Sequence, residues 1–281
     1  MHCKIEERLV TEFEKALFRA ALENLEDKHN PLRFNNFAYA CRELVRHILA
    51  RLAPDEQVLR CSWYKNETDR NNGISRKQRV YYAVQGGLPD GYLKDKLRVT
   101  IDEMHFELRA AIDRLHKYTH IEESTYGVSD EVVDSNVEQT LQAVDGLFQA
   151  IDESRRALVD KLWQHVDSSV FTATLSETIQ AIDELATHHS IDEVHTDKVT
   201  VVGIDSDCIY FRAVGSIACE LQWGSNSDRR RGDGAVLSQT FPFECDLWSP
   251  VLNPVDVSAD DDSLRVDTSS WRDDFCDDAG R

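Results

Sequence analysis

Nowhere in the 281 residues do about 18 apolar side chains run together, so no membrane-spanning helix is expected. The opening segment MHCKIEERLV is charged from its fourth residue and lacks the apolar core of a secretory signal, which leaves a cytoplasmic location as the expectation. No C-x-x-C pair occurs, and seven cysteines is an odd number, so neither a disulfide framework nor a cysteine zinc site is indicated. Cys41, Cys219 and Cys245 stand at apolar-periodic positions and read as small buried hydrophobes. The absence of G-x-x-x-x-G-K-[ST], H-E-x-x-H and G-x-S-x-G leaves ATPase, zincin and serine-hydrolase chemistry without support. No D…E-x-K set falls on adjacent expected strands, as a metal-dependent DNase would need. His188, His189 and His195 match no familiar ligand spacing, so no metal and no other cofactor is expected.

Apolar residues make up 41% and charged residues 30% of the chain, the balance of a globular protein with enough length for one large or two modest cores. The net charge of −19 is unevenly shared. Residues 1–120 hold 21 Lys+Arg against 18 Asp+Glu, and the remaining 161 hold 11 against 33. A phosphate-binding surface therefore belongs to the first part.

In chain order, a helix is expected over residues 3–26, with Ile5, Leu9, Phe13, Leu17, Ala20 and Ala21 facing inward. Asn30-Pro31 reads as a cap and first helical residue for a second helix to Leu52, with an apolar face of Phe34, Phe37, Cys41, Leu44, Ile48 and Leu52. Its polar stripe carries Asn35, Tyr39, Arg42 and Arg46, with Glu43 and His47 beside it. Residues 60–79 form a loop turning at Asn71-Asn72-Gly73, with six basic residues against Glu67 and Asp69. Trp63, Tyr64, Tyr81 and Tyr82 flank those cations; they either stack bases or anchor the loop to the core. Ser75 and Gln78 make a capping box for a short helix that Gly86-Gly87 ends. A third strong helix over 100–121 opens with Thr100 and Glu103 and buries Met104, Leu108, Ala111, Ile112, Leu115 and Tyr118. Residues 122–129 are a connector, and 130–166 read as one long or two stacked helices with Gly146 a weak point. Another capping box, Thr174 with Glu177, starts a helix ending near His188. The period then changes from helical to alternating: Val199 and Val201, then 209–213, 217–223 and 241–247 predict an antiparallel sheet of about four strands. Asp228 to Gly234, DRRRGDG, reads as a loop between strands, and the aspartate-rich stretch from Asp256 as largely disordered.

Arg114, Lys117 and His120 lie on the polar side of the third strong helix. Cleaving RNA without a metal needs a base near neutrality for the 2′-hydroxyl and a cation for the charge gathering on the phosphate; histidine suits the first role and arginine the second. Six residues on an ideal helix leave Arg114 and His120 about 120° apart and roughly 9 Å along the axis, so a loosened last turn or a second copy would have to bring them together. The bland alternative is that both cations offset the helix dipole.

An arginine followed by four to six residues and a histidine, late in a helix, resembles the signature of the HEPN superfamily. More broadly, NPLRFNNFAYACRELVRHILARLAP, CSWYKNETDRNNGISRKQRVYYAVQGGL, LHKYTHI and ELQWGSNSDRRRGDG resemble the bacterial proteins described as predicted pPIWI-associating nucleases, presumed components of prokaryotic defence. The chain departs from the HEPN pattern after the arginine: Leu115 stands where many members have a polar residue, with His116 one place later. Periodicity and the resemblance together lead to the expectation of an α+β protein: a HEPN-like helical domain over 1–128, a helical extension over 129–190, a small antiparallel β domain over 191–252 and an acidic flexible tail over 253–281. The resemblance implies a HEPN-like RNase with Arg114 and His120 as its motif positions; a metal-independent endoribonuclease is expected, with those two catalytic and Arg42, Arg46 and Lys117 on the RNA. A homodimer and a pPIWI-type or other defence partner are expected, and no membrane. The rival expectation is a non-catalytic module whose helices only dimerise while the β part recruits a partner.

Overall fold

The computed structural model describes residues 2–97, 101–176 and 179–271. It contains α1 (His2–Arg8), α2 (Glu12–Glu26), α3 (Arg33–Leu52), α4 (Asp55–Arg60), α5 (Arg76–Gln85), α6 (Asp90–Tyr92), a π-helical turn (Leu93–Leu97), α7 (Ile101–Tyr118), α8 (Asp130–Ser176), α9 (Gln180–Asp183), β1 (His188–Ile204), β2 (Cys208–Trp223), α10 (Asn226–Arg231), β3 (Ala235–Pro250) and β4 (Ser258–Val266). The α+β class expected from the sequence is what is found. The chain divides into two compact units, Met1–Ala157 and Leu158–Arg281, and the division falls inside α8.

In the first unit, the helix expected over 3–26 is two. Thr11 Oγ1 accepts from the Glu14 amide, and the Glu14 carboxylate accepts from the amides of Val10 and Thr11, so a capping box starts α2 afresh. The restart resets the helical phase: Glu14 and Phe18 turn inward and Phe13, expected inside, is 56% exposed. Asn30 makes the side-chain bond expected of it, to the Leu32 amide, but a tight turn follows and α3 begins at Arg33. Its apolar face is buried as expected from Phe34 to Ile48. Ala21, Phe34, Phe37, Cys41, Leu115 and Val133 form one core cluster, which joins α2, α3, α7 and the start of α8. Arg33, 7% exposed, ties α3 to Asp130 at the head of α8. The Ser75–Gln78 box caps α5, and Gly86 ends it at φ 57°, where a side chain would be strained. Thr100 lies outside the described residues, so the box expected with Glu103 does too.

Residues 130–176 form one helix, unbroken at Gly146. Thr174 does not start a new one: its hydroxyl donates back to the Val170 carbonyl within α8, the habit of a mid-helix threonine. Glu177 is outside the described residues, and the helix expected to reach His188 is the short α9, because β1 begins at that residue.

The second unit is built on a sheet of order β1-β2-β3-β4, antiparallel throughout. The two strands expected at 209–213 and 217–223 are one, β2, since their buried residues share the same parity across Gly215. That glycine sits where strands crowd: a Cβ would lie 2.0 Å from the His195 carbonyl oxygen and 2.8 Å from the Phe243 ring. β1 is far longer than its visible alternation, because three register shifts repeatedly change which face its residues occupy. β4 occupies residues that the sequence reading gave to a flexible tail. It pairs by backbone with β3 and carries Arg265 against Glu244 and Asp246, so it needs little apolar content. Leu158, Leu162, Val166 and Val170 of α8 are all fully buried, and Ser169 donates to the Val257 carbonyl just before β4. DRRRGDG is partly helical, as α10, because Ser225 and Asp228 form a capping box. Cys41, Cys219 and Cys245 are buried, as expected. Among the described residues no helix is long and apolar enough to cross a membrane.

Candidate functional site

The end of α7 is held on α3 by three contacts. Leu115 is buried in the shared core, the Phe34 and Tyr118 rings meet edge to face at 4.7 Å, and Asn35 donates to the Tyr118 carbonyl at 2.8 Å. Asn35, read as part of a polar stripe, is therefore a buried clamp. The helix stops at Tyr118, and His120 follows it in a bend. Thr125, fully buried, fixes that bend: its hydroxyl donates to the His120 carbonyl at 2.8 Å and accepts from the Glu122 amide at 2.9 Å.

Arg42 crosses from α3 to this end. Its Nη1 lies 3.0 Å from His116 Nδ1 and 3.4 Å from Thr119 Oγ1. A guanidinium only donates, so in this contact His116 Nδ1 accepts and its ring proton sits on Nε2. His116 thus presents an N–H outward, suited to an anionic oxygen. The His120 ring stands edge to face with His116, centroids 5.1 Å apart. Among the described residues its nitrogens have no protein hydrogen-bond partner, and the side chain is exposed, which leaves it free to take a proton.

The structure therefore brings together Arg42, His116, Thr119 and His120. Arg114 is exposed on α7 and makes no side-chain hydrogen bond or ion pair among the described residues. Lys117 is exposed and lies over the Tyr118 ring at 5.7 Å. Arg46 is held by its own helix, to Glu43 at 2.8 Å and His47 Nε2 at 2.9 Å. Sequence reasoning noted His116 without giving it a role. Its spacing of four from His120 was visible, but the helix ends between them at Tyr118, so a shared helical face is not what brings the rings together.

Beside the histidines lies a groove of about 620 Å³, lined by Arg42, Arg46, Arg70, Arg76 and Arg79 over a floor that includes Val45, Leu49, Ile74 and Ile112. The loop between α4 and α5 supplies its far wall. The aromatic residues there anchor the loop: Trp63 donates to the Gly86 carbonyl, Tyr64 to that of Gly73, and Tyr82 is buried in a cluster with Val58 and Cys61. Of the two roles open to those rings, anchoring is the one found for these three. Arg79 is paired with Asp55 at 2.7 Å.

In the second unit, His189 Nδ1 lies 2.8 Å from Asp183 and His195 Nε2 3.3 Å from Asp197. Among the described residues no three His, Cys, Asp or Glu side chains converge.

Two family models match the chain, both described as predicted pPIWI-associating nuclease, one over residues 6–144 and the other over 151–272. The chain belongs to the family of predicted pPIWI-associating nucleases. The family description makes these proteins predicted nucleases that associate with pPIWI proteins, the setting in which the site must be read. The histidine pair and the arginine groove both fall in the first matched segment, and the two segments meet within α8, as the compact units do. No curated protein and no solved structure matches the chain.

Proposed function

We propose that this member of the family is a metal-independent endoribonuclease of the HEPN type, acting as a homodimer in prokaryotic defence against phage or foreign nucleic acid. The observation that carries this reading is the free His120 imidazole, 5.1 Å from a His116 ring that Arg42 of the arginine groove holds in place. His120 takes the proton from a ribose 2′-hydroxyl, and that oxygen attacks the adjacent phosphorus as the 5′-oxygen leaves and takes up a proton from water. The products are a 2′,3′-cyclic phosphate and a 5′-hydroxyl. Arg114 neutralises the charge on the phosphate, with the His116 Nε2–H and Arg42 as further donors, and Arg46 and Lys117 hold neighbouring phosphates. The family description supports a pPIWI protein as the partner.

The test is cleavage of single-stranded RNA by the purified protein in EDTA. Activity is expected to persist and to fall about 10²- to 10⁴-fold in His120→Ala, the usual contribution of a positioned base. It is expected to fall about 10²- to 10³-fold in Arg114→Ala, as for a lost electrostatic stabiliser. Unchanged cleavage in both variants removes the assignment, and loss in EDTA alone points to a metal-dependent nuclease. A second reading, a non-catalytic dimerisation and partner-binding module, is favoured by exposed aromatics: Phe106 on α7 is 71% exposed and Tyr39 on α3 60%. Absence of cleavage of any RNA would support that module.

A further inference from the structure

The groove beside the histidines carries more charge than the two arginines of α3 explain. Arg42 and Arg46 come from α3, Arg70 from the loop and Arg76 and Arg79 from the first turns of α5, so two stretches separated in sequence, 42–46 and 70–79, converge on one cavity. Arg46 and Arg79 are offset by Glu43 and Asp55. Arg42, Arg70 and Arg76 have no carboxylate partner among the described residues. In a chain with 51 Asp+Glu against 32 Lys+Arg, acidic side chains are the commoner charge, yet among the described residues none lines this cavity. Gathering like charges costs energy unless an anion meets them, and guanidinium forks match phosphate oxygens in pairs.

We infer that this groove binds the phosphate–ribose backbone of a single-stranded polynucleotide, with Arg70 and Arg76 as phosphate ligands beyond the reacting residues. The inference deepens the reading above and rests on nucleic acid as the substrate, but not on cleavage. Its volume of about 620 Å³ is that of a site for one or two nucleotides rather than a duplex. The apolar floor of Val45, Leu49, Ile74 and Ile112 suits the faces of ribose and base, which a free inorganic anion would not use. Arg42 lines the groove and also holds His116, so a strand seated here passes the histidine pair.

The probe is a short fluorescein-labelled 2′-O-methyl oligouridylate, which cannot be cleaved through its 2′-oxygen, followed by anisotropy across a salt series. Arg70→Gln combined with Arg76→Gln is expected to weaken binding about tenfold or more and to flatten the log–log salt dependence by about 1.4, the loss of two single-strand phosphate contacts. Both side chains are exposed, so the melting temperature is expected to stay that of the wild type. Because the probe cannot be cleaved, binding is read apart from catalysis. If the wild-type protein binds the probe but cleaves no RNA, the groove stands and the nuclease reading falls. Wild-type affinity in the double arginine variant overturns the inference. So does competition by 5′-UMP as effective as that by the unlabelled chain, which would assign the groove to a free nucleotide.

Discussion

Glu14 is only 2% exposed, and a buried carboxylate survives there because donors surround it. Burial pushes its carboxyl up, but Arg51 at 2.8 Å and the amides of Val10 and Thr11 outweigh that and hold it below the ordinary 4.5. A carboxyl lowered in the folded state adds stability that is fully present above its unfolded value and is lost as pH falls through the lower folded one. Glu14→Gln is expected to destabilise the protein by about 1–3 kcal/mol near neutrality, because it leaves Arg51 short of an acceptor. Urea unfolding at several pH values should show the gap between wild type and variant narrowing below 4.5; a gap independent of pH would mean the carboxylate is not the source. The same residue shows why some roles were legible and others not. T-x-x-E at Thr11 is a readable cap signal, yet continuous apolar spacing across it masked the break. At the site, Arg42 and His120 were singled out by type and spacing. The convergence of Arg42 on His116, and of Arg70 and Arg76 on the groove, depends on contacts between elements far apart in sequence.

At the scale of elements, α8 is the longest helix and carries a glycine where one would expect it to bend. Gly146 lies within the helix, and a Cβ added there would meet nothing within 4 Å. Its cost is then the backbone freedom that glycine gives up on folding, with no packing gained in return. Gly146→Ala is expected to raise stability by about 0.5–1 kcal/mol, seen as a higher urea midpoint with the same dependence on urea. Destabilisation would instead show that α8 needs a flexible point at residue 146. Helix α5 was legible because its capping box and its end at Gly86 agree with the sequence signals, and α3 because its apolar stripe is unbroken, although its first residue was not. Of β1 only the stretch at Val199 and Val201 was legible, because bulges scramble its alternation elsewhere, and β4 was not, because backbone pairing with charged side chains sustains it.

At the scale of the whole molecule, an Arg114 that makes no side-chain hydrogen bond or ion pair among the described residues raises the question of which His120 it serves in the proposed reaction. The two side chains leave α7 and the bend after it in different directions on any ideal helix, while His120 already has His116 and Arg42 nearby. In the proposed homodimer, two-fold symmetry gives each copy the same surface, so Arg114 of one can complete the site of the other. Light scattering is then expected to report twice the chain mass of 32.1 kDa. The sharper measurement is a heterodimer of Arg114→Ala and His120→Ala, isolated through two different tags. If the pair works between copies, one composite site is damaged twice and the other is intact, so the heterodimer should recover about half the wild-type rate although each variant alone is nearly inactive. If the pair works within a copy, both sites carry one lesion and nothing is recovered. The strongly acidic character of residues 121–281, 33 Asp+Glu against 11 Lys+Arg, bears on the same comparison. With RNA as the proposed substrate, that charge would disfavour binding outside the cationic groove, so recovery should weaken with rising salt in proportion to wild-type activity. A different salt dependence in the heterodimer would show that the lesions disturb RNA binding rather than the joint work of Arg114 and His120.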